Sequence, residues 1–398
     1  MKRHFLLIAM LCIVSMIWGQ QLQRVAPATV GMDAGRLANA DKIINHAIQQ
    51  HEIPGAVLAV VRHGKMAYLK AFGNRALEPK VEAMTTGTVF DMASCSKAMS
   101  TAVCALILIE SGQLRLMDRV DTYIPNFDNW KDNQGETEAI RIVDLMTHSS
   151  GLPPYADVEM LKAKYGAPSP DGLIDYISHC RRDFKPTTDF QYSCLNYITL
   201  QRIIETISGK SLRDFAKQHI FDVLGMKHTD YNPSPELTKQ CAPTEKLPDG
   251  TVLRGVVHDP LARVMNGGIS GNAGLFSTAD DIALFCAAVQ NGGIWNGHRI
   301  LSKLGVQCMR TVPRRVANLG RTPGWDIFTA YATNNGDLLS DATYGHTGFT
   351  GTSIVIDPIN DVSVIFLTNA VHPSGKSPSA IISLRSYIAN AVAASIIQ

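Results

Sequence analysis

Apolar and polar residues follow two different periodicities near the N-terminal end of this chain, and each predicts a different element. After Asp33, apolar residues return every three or four positions, which predicts a helix capped by Asp33 and ending near Gln50. Two short apolar runs follow at residues 56–61 and 66–72, and the four residues between them include Gly64. This second pattern predicts a β-hairpin.

The C-terminal region repeats these patterns in the opposite order. Residues 352–356 and 362–367 are rich in β-branched side chains and predict two strands, and residues 379–397 predict a closing helix. The middle of the chain, roughly 95–310, carries mostly helical spacing broken by loops rich in Gly, Pro and Asn. An economical arrangement pairs strands from both ends in an antiparallel sheet flanked by helices, with the helical middle inserted. The sequence therefore predicts one α+β domain over residues 20–398.

The first residues have the pattern of an export signal. Lys2 and Arg3 precede an apolar stretch at residues 5–18, which is interrupted only by Ser15. This stretch is shorter than the roughly 20 apolar residues that span a membrane. We therefore interpret residues 1–19 as a cleaved signal peptide.

No later segment of the sequence is long and apolar enough to predict a spanning helix. Cys12 could suggest a lipid anchor, but Leu11 before it is larger than the residue that lipoprotein processing usually requires. We expect a periplasmic or secreted protein with no lipid on Cys12 and no transmembrane segment in the mature chain.

Composition and charge exclude some classes of function. The chain has 398 residues, of which 45% are hydrophobic and 18% charged, as in ordinary globular proteins. It contains 37 basic and 35 acidic residues, and the basic surplus disappears when Lys2 and Arg3 leave with the signal peptide. A neutral chain without a basic cluster has no electrostatic footprint for nucleic acid. We therefore exclude a nucleic-acid partner.

The cysteines do not form a recognisable framework. Of the 8 cysteines, Cys12 lies in the predicted signal peptide, and the remaining seven include no CxxC pair. This spacing predicts neither a zinc site nor a disulfide scaffold, although one or two bridges remain an alternative. We interpret most of these cysteines as small buried residues, and we expect no metal.

The most specific chemical pattern is Ser94-x-x-Lys97, at the start of a helix predicted over residues 98–109. Residues three apart share a helix face, so the Lys97 amine can reach the Ser94 hydroxyl. A serine hydroxyl becomes a good nucleophile only beside a base, and a helix N-terminus adds N–H donors where negative charge would develop. The alternative is a surface serine near a solvated lysine.

A second pattern is His346-Thr347-Gly348, within a glycine-rich segment that leads into a predicted buried strand. Glycine allows the backbone to approach another group closely. A histidine beside glycine at the start of a core strand favours a position facing a cleft, and the alternative is a structural histidine.

A third pattern is Tyr192-Ser193-Cys194, before a helix that Gly209 ends. Taken alone, it is best explained as a helix start with an aromatic side chain packed beneath it.

Together, and in this order, the three patterns resemble the motifs of the serine β-lactamase and penicillin-binding-protein superfamily. The resemblance is to its class C-like branch, which includes AmpC-type β-lactamases, D-Ala-D-Ala carboxypeptidases and family VIII-type esterases. It covers roughly residues 30–392. Four further segments match the family: residues 53–56, 146–153, 224–226 and 272–281.

The resemblance implies roles for the residues in these motifs. Ser94 is implied as the nucleophile that forms an acyl-enzyme, and Lys97 and Tyr192 as the pair that moves its proton. The backbone N–H groups of Ser94 and Phe349 are implied as the oxyanion hole. No metal or organic cofactor is implied.

Substrate binding is implied for His346, Thr347 and Gly348, with histidine in the place of the lysine that many relatives have. Lysine offers a fixed charge for a substrate carboxylate, whereas histidine is expected to titrate near neutrality.

Cys194 is the main departure from the family, because the second motif normally ends in Asn. A thiol is a weak donor compared with an amide. Asn196, two residues later, could supply an amide to the substrate if the turn is reshaped, so Cys194 and Asn196 are both candidate substrate-binding residues. The departure argues against efficient β-lactam turnover more than against acyl transfer.

The sequence therefore predicts an exported serine hydrolase that acts on a small peptide-like or ester substrate, of the D,D-peptidase or esterase type. Cell-wall peptides ending in D-Ala are one candidate class. A true class C-like β-lactamase is the alternative within the enzymes, and a binding or sensing module without turnover is the alternative outside them. The sequence leaves the physiological substrate, the acyl acceptor and the oligomeric state open.

Overall fold

The computed structural model describes residues 21–327 and 329–397. The predicted signal peptide and Cys12 lie outside the described residues. Within them, no helix combines the length and apolar character needed to cross a membrane. The seven cysteines of the described part are all free thiols, so the alternative of a disulfide bridge among them is not realised.

The strands, in chain order, are β1 (Gly55–Arg62), β2 (Lys65–Ala76), β3 (Glu82–Ala83), β4 (Phe90–Asp91), β5 (Trp130–Lys131), β6 (Thr137–Glu138), β7 (Asp230–Tyr231), β8 (Leu275–Ser277), β9 (Ile294–Trp295), β10 (His298–Arg299), β11 (Tyr344–Thr347), β12 (Ser353–Asp357) and β13 (Val362–Thr368).

The α-helices are α1 (Ala34–Gln49), α2 (Ala102–Glu110), α3 (Ile142–Met146), α4 (Val158–Tyr165), α5 (Pro170–His179), α6 (Cys194–Ser208), α7 (Leu212–Ala216), α8 (Asp222–Leu224), α9 (Pro235–Thr238), α10 (Ala279–Gln290), α11 (Lys303–Met309) and α12 (Ala380–Ala394). Shorter π-helical segments are Lys97–Thr101, Lys217–Phe221 and Leu261–Met265, and 3₁₀ turns are Pro27–Val30, Val120–Thr122, Arg314–Val316 and Ala330–Asn335.

The main sheet is built from both ends of the chain, as the sequence predicts. It has six strands in the order β11-β12-β13-β1-β2-β3. The N-terminal β1 pairs antiparallel with the C-terminal β13, with Ala56 opposite Thr368 and Arg62 opposite Val362. Asp33 caps α1 by accepting the N–H of Arg36 at 2.8 Å, which matches the predicted start of the first helix. The α+β fold class is confirmed.

The two faces of this sheet contribute to two different cores. Every residue of β1 is buried, as expected for a strand covered on both faces. Its alternate residues Val57, Ala59 and Val61 pack with the helical middle of the chain. Ala56, Leu58 and Val60 instead belong to the core that also contains α1 and α12 residues.

The helix after Ser94 differs from the predicted one in its first turn. Residues Lys97–Thr101 form a π-helical turn, and the regular helix α2 begins only at Ala102. The hydroxyl of Thr101 in this turn donates to the carbonyl of Gly271 at 2.8 Å. Apolar spacing does not report such a contact with a distant loop, and π-helical turns occur frequently at functional sites.

Candidate active site

Ser94 lies on a tight turn directly after β4. The buried carboxylate of Asp91 accepts the N–H of Ala93 at 2.9 Å and the N–H of His258 at 2.7 Å. Ala93 has a φ of 44°, in the left-handed region that residues with a side chain rarely adopt. Burial raises the pKa of Asp91, while the two N–H donors lower it. These contacts hold the turn that presents Ser94.

Lys97 places its amine among three groups. Its Nζ lies 3.0 Å from Ser94 Oγ, 2.7 Å from the carbonyl oxygen of Asn272 and 3.7 Å from Cys194 Sγ. The residue has no exposed surface. The Ser94 and Lys97 side chains are therefore in hydrogen-bond contact, as the i, i+3 spacing predicts.

The charge of Lys97 depends on its two acidic neighbours. Burial, the largest influence, lowers the pKa of Lys97, and the Cys194 and Tyr192 anions raise it above its ordinary value. Burial in turn raises the pKa of both the Cys194 thiol and the Tyr192 phenol. Burial and the two acidic neighbours therefore act in opposite directions on the charge of Lys97.

Tyr192 comes from the other side of the cleft, just before α6. Its ring centre is 5.1 Å from Lys97 Nζ. The ring stacks on His148 at 4.3 Å and on Tyr331 at 5.2 Å, with interplanar angles of 30° and 27°. Burial raises the pKa of the phenol, and the Lys97 cation opposes this change.

The third motif lies on the edge strand β11 and the turn after it, not at the start of a central strand. This turn packs on the segment that precedes Ser94: Thr350 Oγ1 donates to Asp91 O at 2.8 Å, and Thr352 Oγ1 to Met92 O at 3.2 Å. A Cβ added to Gly348 would lie 2.6 Å from Met92 O, closer than side chains approach. Glycine is therefore needed where the two motifs meet.

The two backbone groups implied as an oxyanion hole have no acceptor. Among the described residues, neither the Ser94 nor the Phe349 N–H donates a hydrogen bond. Both residues line the same cleft. The arrangement leaves two donors available to a bound oxygen atom.

His346 lies in the cleft but does not behave as the sequence suggests. Its Nδ1–H donates to the carbonyl of Thr347 at 2.9 Å, which leaves Nε2 as an acceptor. Burial lowers the pKa of His346 well below its usual value, and Arg321 and Lys97 lower it further. The expectation that His346 titrates near neutrality is therefore wrong. The side chain is only 4% exposed, and the Arg321 and Lys97 cations disfavour its protonated form.

The side chains of Cys194 and Asn196 lie in different surroundings. Cys194 Sγ lies 3.7 Å from Lys97 Nζ, beside the proposed proton-transfer pair, and is not among the residues that line the cleft. Asn196 instead accepts from Ser150 Oγ at 2.5 Å and donates to His148 Nδ1 at 3.2 Å. It is 1% exposed and does not line the cleft, so the expectation that it contacts substrate is not supported by its position. Since α6 begins at Cys194, its first turn directs Asn196 into the core.

The cleft has a volume of about 440 Å³. One wall carries half-exposed apolar side chains, among them Phe349 and Ile382. The complete lining is Ser94, Tyr192, Arg321, Asp326, Tyr331, His346, Thr347, Gly348, Phe349, Ser377, Pro378, Ser379, Ile381, Ile382 and Arg385. Within the described ranges, no group of three or more His, Cys, Asp or Glu could hold a metal ion.

Arg321 is a cleft residue that the motifs do not reveal. It is 1% exposed, and its Nη1 donates to Asp326 Oδ2 at 2.8 Å. Its Nε and Nη2 are buried and have no partner among the described residues. The guanidinium lies 5.7 Å from the centre of the Tyr192 ring. No periodic pattern or motif surrounds Arg321 or Tyr331, whereas His148 and Asn272 lie in segments that match the family.

Comparison with known proteins identifies the family. A family model described as Beta-lactamase matches residues 40–387. The chain belongs to the beta-lactamase family. An Escherichia coli K12 protein named "Putative D-alanyl-D-alanine carboxypeptidase" is 32% identical over 411 residues, covering 95% of this chain and 93% of its own length. The N-acetylmuramyl-L-alanine amidase of Bacillus subtilis 168 is 31% identical over 379 residues, covering 86% and 83%.

A solved structure shares the beta-lactamase fold. The hydrolase EstCE1, described as having promiscuous acyltransferase activity, superposes with a TM-score of 0.70 at 22% identity, covering 90% of this chain and 99% of its own. At this identity the likeness concerns the fold alone. Together the matches confirm the resemblance stated from the motifs, and they confirm that the protein is a hydrolase of the beta-lactamase-related family.

Proposed function

We propose that this protein is an exported serine hydrolase that acts through an acyl-enzyme formed on Ser94. The supporting observation is the 3.0 Å contact between Ser94 Oγ and Lys97 Nζ in a cleft that also contains two unpaired backbone donors. A serine hydroxyl attacks a carbonyl efficiently when a neighbouring base takes its proton. Export is inferred from the signal-peptide pattern of residues 1–19.

In the proposed reaction, Ser94 Oγ bonds to the carbonyl carbon of the substrate while its proton passes to the Lys97–Tyr192 pair. The carbonyl oxygen becomes negative and accepts hydrogen bonds from the N–H groups of Ser94 and Phe349. The bond to the leaving amine or alcohol then breaks, and the same pair returns a proton to that group. A water molecule attacks the resulting ester, which releases the acid and restores the Ser94 hydroxyl.

Lys97 is suited to a role in proton transfer because its buried amine contacts Ser94 Oγ at 3.0 Å. Burial disfavours the charged amine, whereas the neighbouring Cys194 and Tyr192 groups favour it and raise the pKa of Lys97. An unprotonated amine beside Ser94 can accept the proton directly. Tyr192, whose ring is 5.1 Å from the Lys97 amine, can carry it onward to the leaving group.

Arg321 supports a substrate that carries a carboxylate. Arg321 lines the cleft, its Nη1 donates to Asp326, and its Nε and Nη2 have no partner among the described residues. A buried guanidinium with free donors is suited to bind a carboxylate in two hydrogen bonds. A peptide cleaved next to its C-terminal residue presents such a group close to the scissile bond.

The relatives support a peptide substrate of this kind. The proteins from Escherichia coli and Bacillus subtilis are named for D-alanyl-D-alanine carboxypeptidase and N-acetylmuramyl-L-alanine amidase activities. We therefore propose a D,D-peptidase type of activity on small cell-wall peptides that end in a free carboxylate.

Ester hydrolysis is a second candidate, and the side chain at Cys194 favours it. The weakly donating thiol lies 3.7 Å from Lys97, where the family usually has an amide that can bind the substrate amide. An ester needs less such recognition than a peptide. The exposed apolar wall formed by Phe349 and Ile382 can accommodate an apolar acyl group.

Intact mass spectrometry after mixing with benzylpenicillin tests the proposed nucleophile. We expect a covalent adduct on the wild-type protein and on Ser377→Ala, which removes another serine of the same cleft. We expect no adduct on Ser94→Ala. Persistence of the adduct would indicate a penicillin-binding protein, and its decay with release of product would indicate a β-lactamase.

A chromogenic ester and a D-Ala-D-Ala peptide complete the test. Turnover that disappears in Ser94→Ala supports the proposed hydrolase and excludes a binding module without turnover. Turnover that survives unchanged in Ser94→Ala contradicts the proposal. Absence of both adduct and turnover in the wild-type protein also contradicts it.

A further inference from the structure

His148 occupies an unusual position beneath Tyr192. It follows α3 within the segment 146–153, and it has no exposed surface. Its φ is 57°, in the left-handed region that is uncommon for residues with a side chain. A buried residue that keeps such a backbone conformation is held by its surroundings, and such residues cluster at functional sites.

The His148 ring is part of a column of four rings that ends at the cleft. Tyr197 lies on one side of His148 at 5.1 Å, and Tyr192 lies 4.3 Å away in a stacked arrangement. Tyr331 then stacks on Tyr192 at 5.2 Å. Tyr197 is fully buried and donates to Met146 O at 2.9 Å, so the column is anchored in the core. One face of Tyr192 therefore packs on rings that are buried and hydrogen-bonded in the core.

His148 also holds the backbone on both sides of Tyr192. Its carbonyl oxygen accepts the N–H of Gln191 at 3.0 Å, and its Nδ1 accepts the N–H of Ser193 at 3.1 Å. The same Nδ1 accepts from the Asn196 side chain at 3.2 Å. One residue thus contacts the ring of Tyr192 and both of its neighbours in the chain.

These hydrogen bonds require the uncharged form of His148. An Nδ1 that accepts N–H donors cannot carry a proton, so the ring proton is on Nε2. Burial lowers the pKa of His148 well below its usual value, and Arg321, Lys97 and His346 lower it further. The surroundings therefore maintain the form that can accept the Ser193 N–H.

We propose that His148 is a positioning residue that holds the Tyr192 phenol in the orientation needed for proton transfer. It does so through the ring stack and through its hydrogen bonds to Gln191 and Ser193. This inference rests on the proposed function, because it requires Tyr192 to take part in the reaction. His148 itself does not contact the substrate, since it does not line the cleft.

Two substitutions separate the two contacts of His148. His148→Phe keeps a flat ring beneath Tyr192 but removes the acceptor for the Ser193 N–H. His148→Gln keeps an acceptor but removes the stacked ring. Because a small displacement of a catalytic group can lower a rate by about 100-fold, we expect each variant to lower the acylation rate constant by about 10- to 100-fold. Substrate affinity, measured in the same single-turnover experiment, is expected to change by less than about threefold.

His372 provides a matched control. It is also buried, at 4% exposed, and its Nε2 accepts the N–H groups of Leu77 and Glu78 at 3.0 and 3.2 Å. We expect His372→Phe and His372→Gln to lower Tm by a similar amount to the His148 variants. Their acylation rate constants are expected to stay within about twofold of the wild-type value.

A double-variant experiment tests whether His148 acts through Tyr192. If it does, adding His148→Phe or His148→Gln to Tyr192→Phe causes less than about a twofold further loss, because the group being positioned is already absent. Losses that multiply in the double variants overturn the inference, as does a loss of Tm with no change in the acylation rate constant. If His148→Phe does not fold, His148→Gln alone still tests whether loss of the stacked ring lowers the acylation rate constant.

Failure of the inference can be distinguished from failure of the proposed function. If Ser94→Ala or Tyr192→Phe leaves acylation unchanged, the proposed function is wrong and His148 has no catalytic group to position. If both variants lose acylation while the His148 variants retain it, the inference alone is wrong.

Discussion

The two sides of the catalytic cleft are assembled in different ways. On one side, Ser94 and Lys97 come from the same turn of chain, and their side chains meet at 3.0 Å. On the other side, Tyr192 is held between His148, which follows α3, and Tyr331, which lies in a 3₁₀ turn far along the chain. The first side depends on local helical geometry, and the second depends on contacts between distant segments.

This difference explains why the sequence predicts the contact on the Ser94 side of the cleft but not the position of Tyr192 on the other side. The spacing of Ser94 and Lys97 is enough to predict that their side chains meet, because residues three apart share one face of a helical turn. Tyr192, taken alone, looks like an aromatic residue packed under a helix. Its relation to Lys97 depends on the ring column beneath it, which no local pattern contains.

The largest effect is expected on the local side of the cleft. Lys97→Met removes the proposed base and is expected to lower the acylation rate constant by about 10³-fold, within the usual range for general base catalysis. Because a buried amine is replaced by an apolar group of similar length, Tm is expected to stay level or rise. Single-turnover kinetics and thermal melting measure the two quantities.

Lys303→Met is the matched control for Lys97→Met. Lys303 is exposed at the start of α11 and precedes Leu304-Gly305, in a sequence resembling the third motif but outside the cleft. We expect no change in rate. A loss of both Tm and activity in Lys97→Met would indicate that Lys97 has a structural role. The Ser94 side of the cleft would then also depend on contacts that hold the fold, as the Tyr192 side does.

The second prediction concerns the Arg321 guanidinium, which lines the cleft beside Tyr192. Arg321→Met is expected to lower kcat/KM for a peptide with a free carboxylate by about 10- to 100-fold. This corresponds to about 1.5–3 kcal/mol, the usual contribution of hydrogen bonds to a charged group. Hydrolysis of an uncharged aryl ester is expected to change by less than about threefold.

Arg213→Met is the control for Arg321→Met. Arg213 forms a bidentate pair with Asp230, at 2.8 and 2.7 Å, and does not line the cleft. It is expected to affect neither substrate. If Arg321→Met lowers turnover of both substrates equally, Arg321 supports the Tyr192 side of the cleft rather than binding a carboxylate.

The third prediction is a pH dependence of stability that arises on the Tyr192 side. His148 and His346 both have a pKa lowered by burial, so the unfolded chain binds protons that the native protein does not bind. Stability therefore falls as pH decreases below the unfolded value of about 6.5, by up to about 1.4 kcal/mol per pH unit for each histidine. Urea unfolding at pH 7, 6 and 5 measures this slope.

His346→Asn isolates one contribution to that slope. The variant is expected to show a smaller loss of stability between pH 7 and pH 5 than the wild-type protein. An unchanged slope would mean that His346 takes up its proton over the same pH range in the native and the unfolded states. The lowering of the His346 pKa by burial in the cleft would then be wrong.

The smallest effect is expected at the outer end of the ring column. Tyr331 is 49% exposed, and Tyr331→Ala removes one stacking partner of Tyr192 while His148 remains. Aromatic pairs contribute about 0.5–1.5 kcal/mol beyond burial, so we expect a loss of up to about tenfold in the acylation rate constant. Tyr387→Ala, an exposed tyrosine on α12 that does not line the cleft, is the control. If Tyr331→Ala lowered the acylation rate constant more than the His148 variants do, Tyr331 rather than His148 would be the main support of the Tyr192 ring.

Much of the fold could be predicted because its elements have strong periodic patterns. The first helix, predicted from Asp33 to Gln50, is observed as α1 (Ala34–Gln49), and the two runs near the C-terminus are observed as β12 and β13. An antiparallel sheet built from strands of both ends was also predicted, and in the structure β1 and β13 form its junction. Fully apolar strands and capped helices carry their own structural signals, so distant contacts are not needed to find them.

The failures have a common physical cause. The π-helical turn after Lys97, the inward direction of Asn196 and the uncharged state of His346 all depend on contacts with residues far away in the chain. The sequence did not identify Arg321 as a cleft residue. Its proposed role depends on two buried nitrogen atoms without hydrogen-bond partners, and such atoms can be recognised only in the folded structure. Periodicity and spacing report local geometry and do not report such contacts.

The sequence by itself therefore determined the family, the main sheet and the meeting of Ser94 with Lys97, because each follows from periodicity, motif order or spacing along one turn. The tertiary structure alone decided the column beneath Tyr192, the free donors of Arg321 and the uncharged His148 and His346. Those properties arise from burial and from the approach of segments that are distant in the chain. A hydrogen bond or a pKa depends on all the groups that surround a side chain, and folding is what brings those groups together.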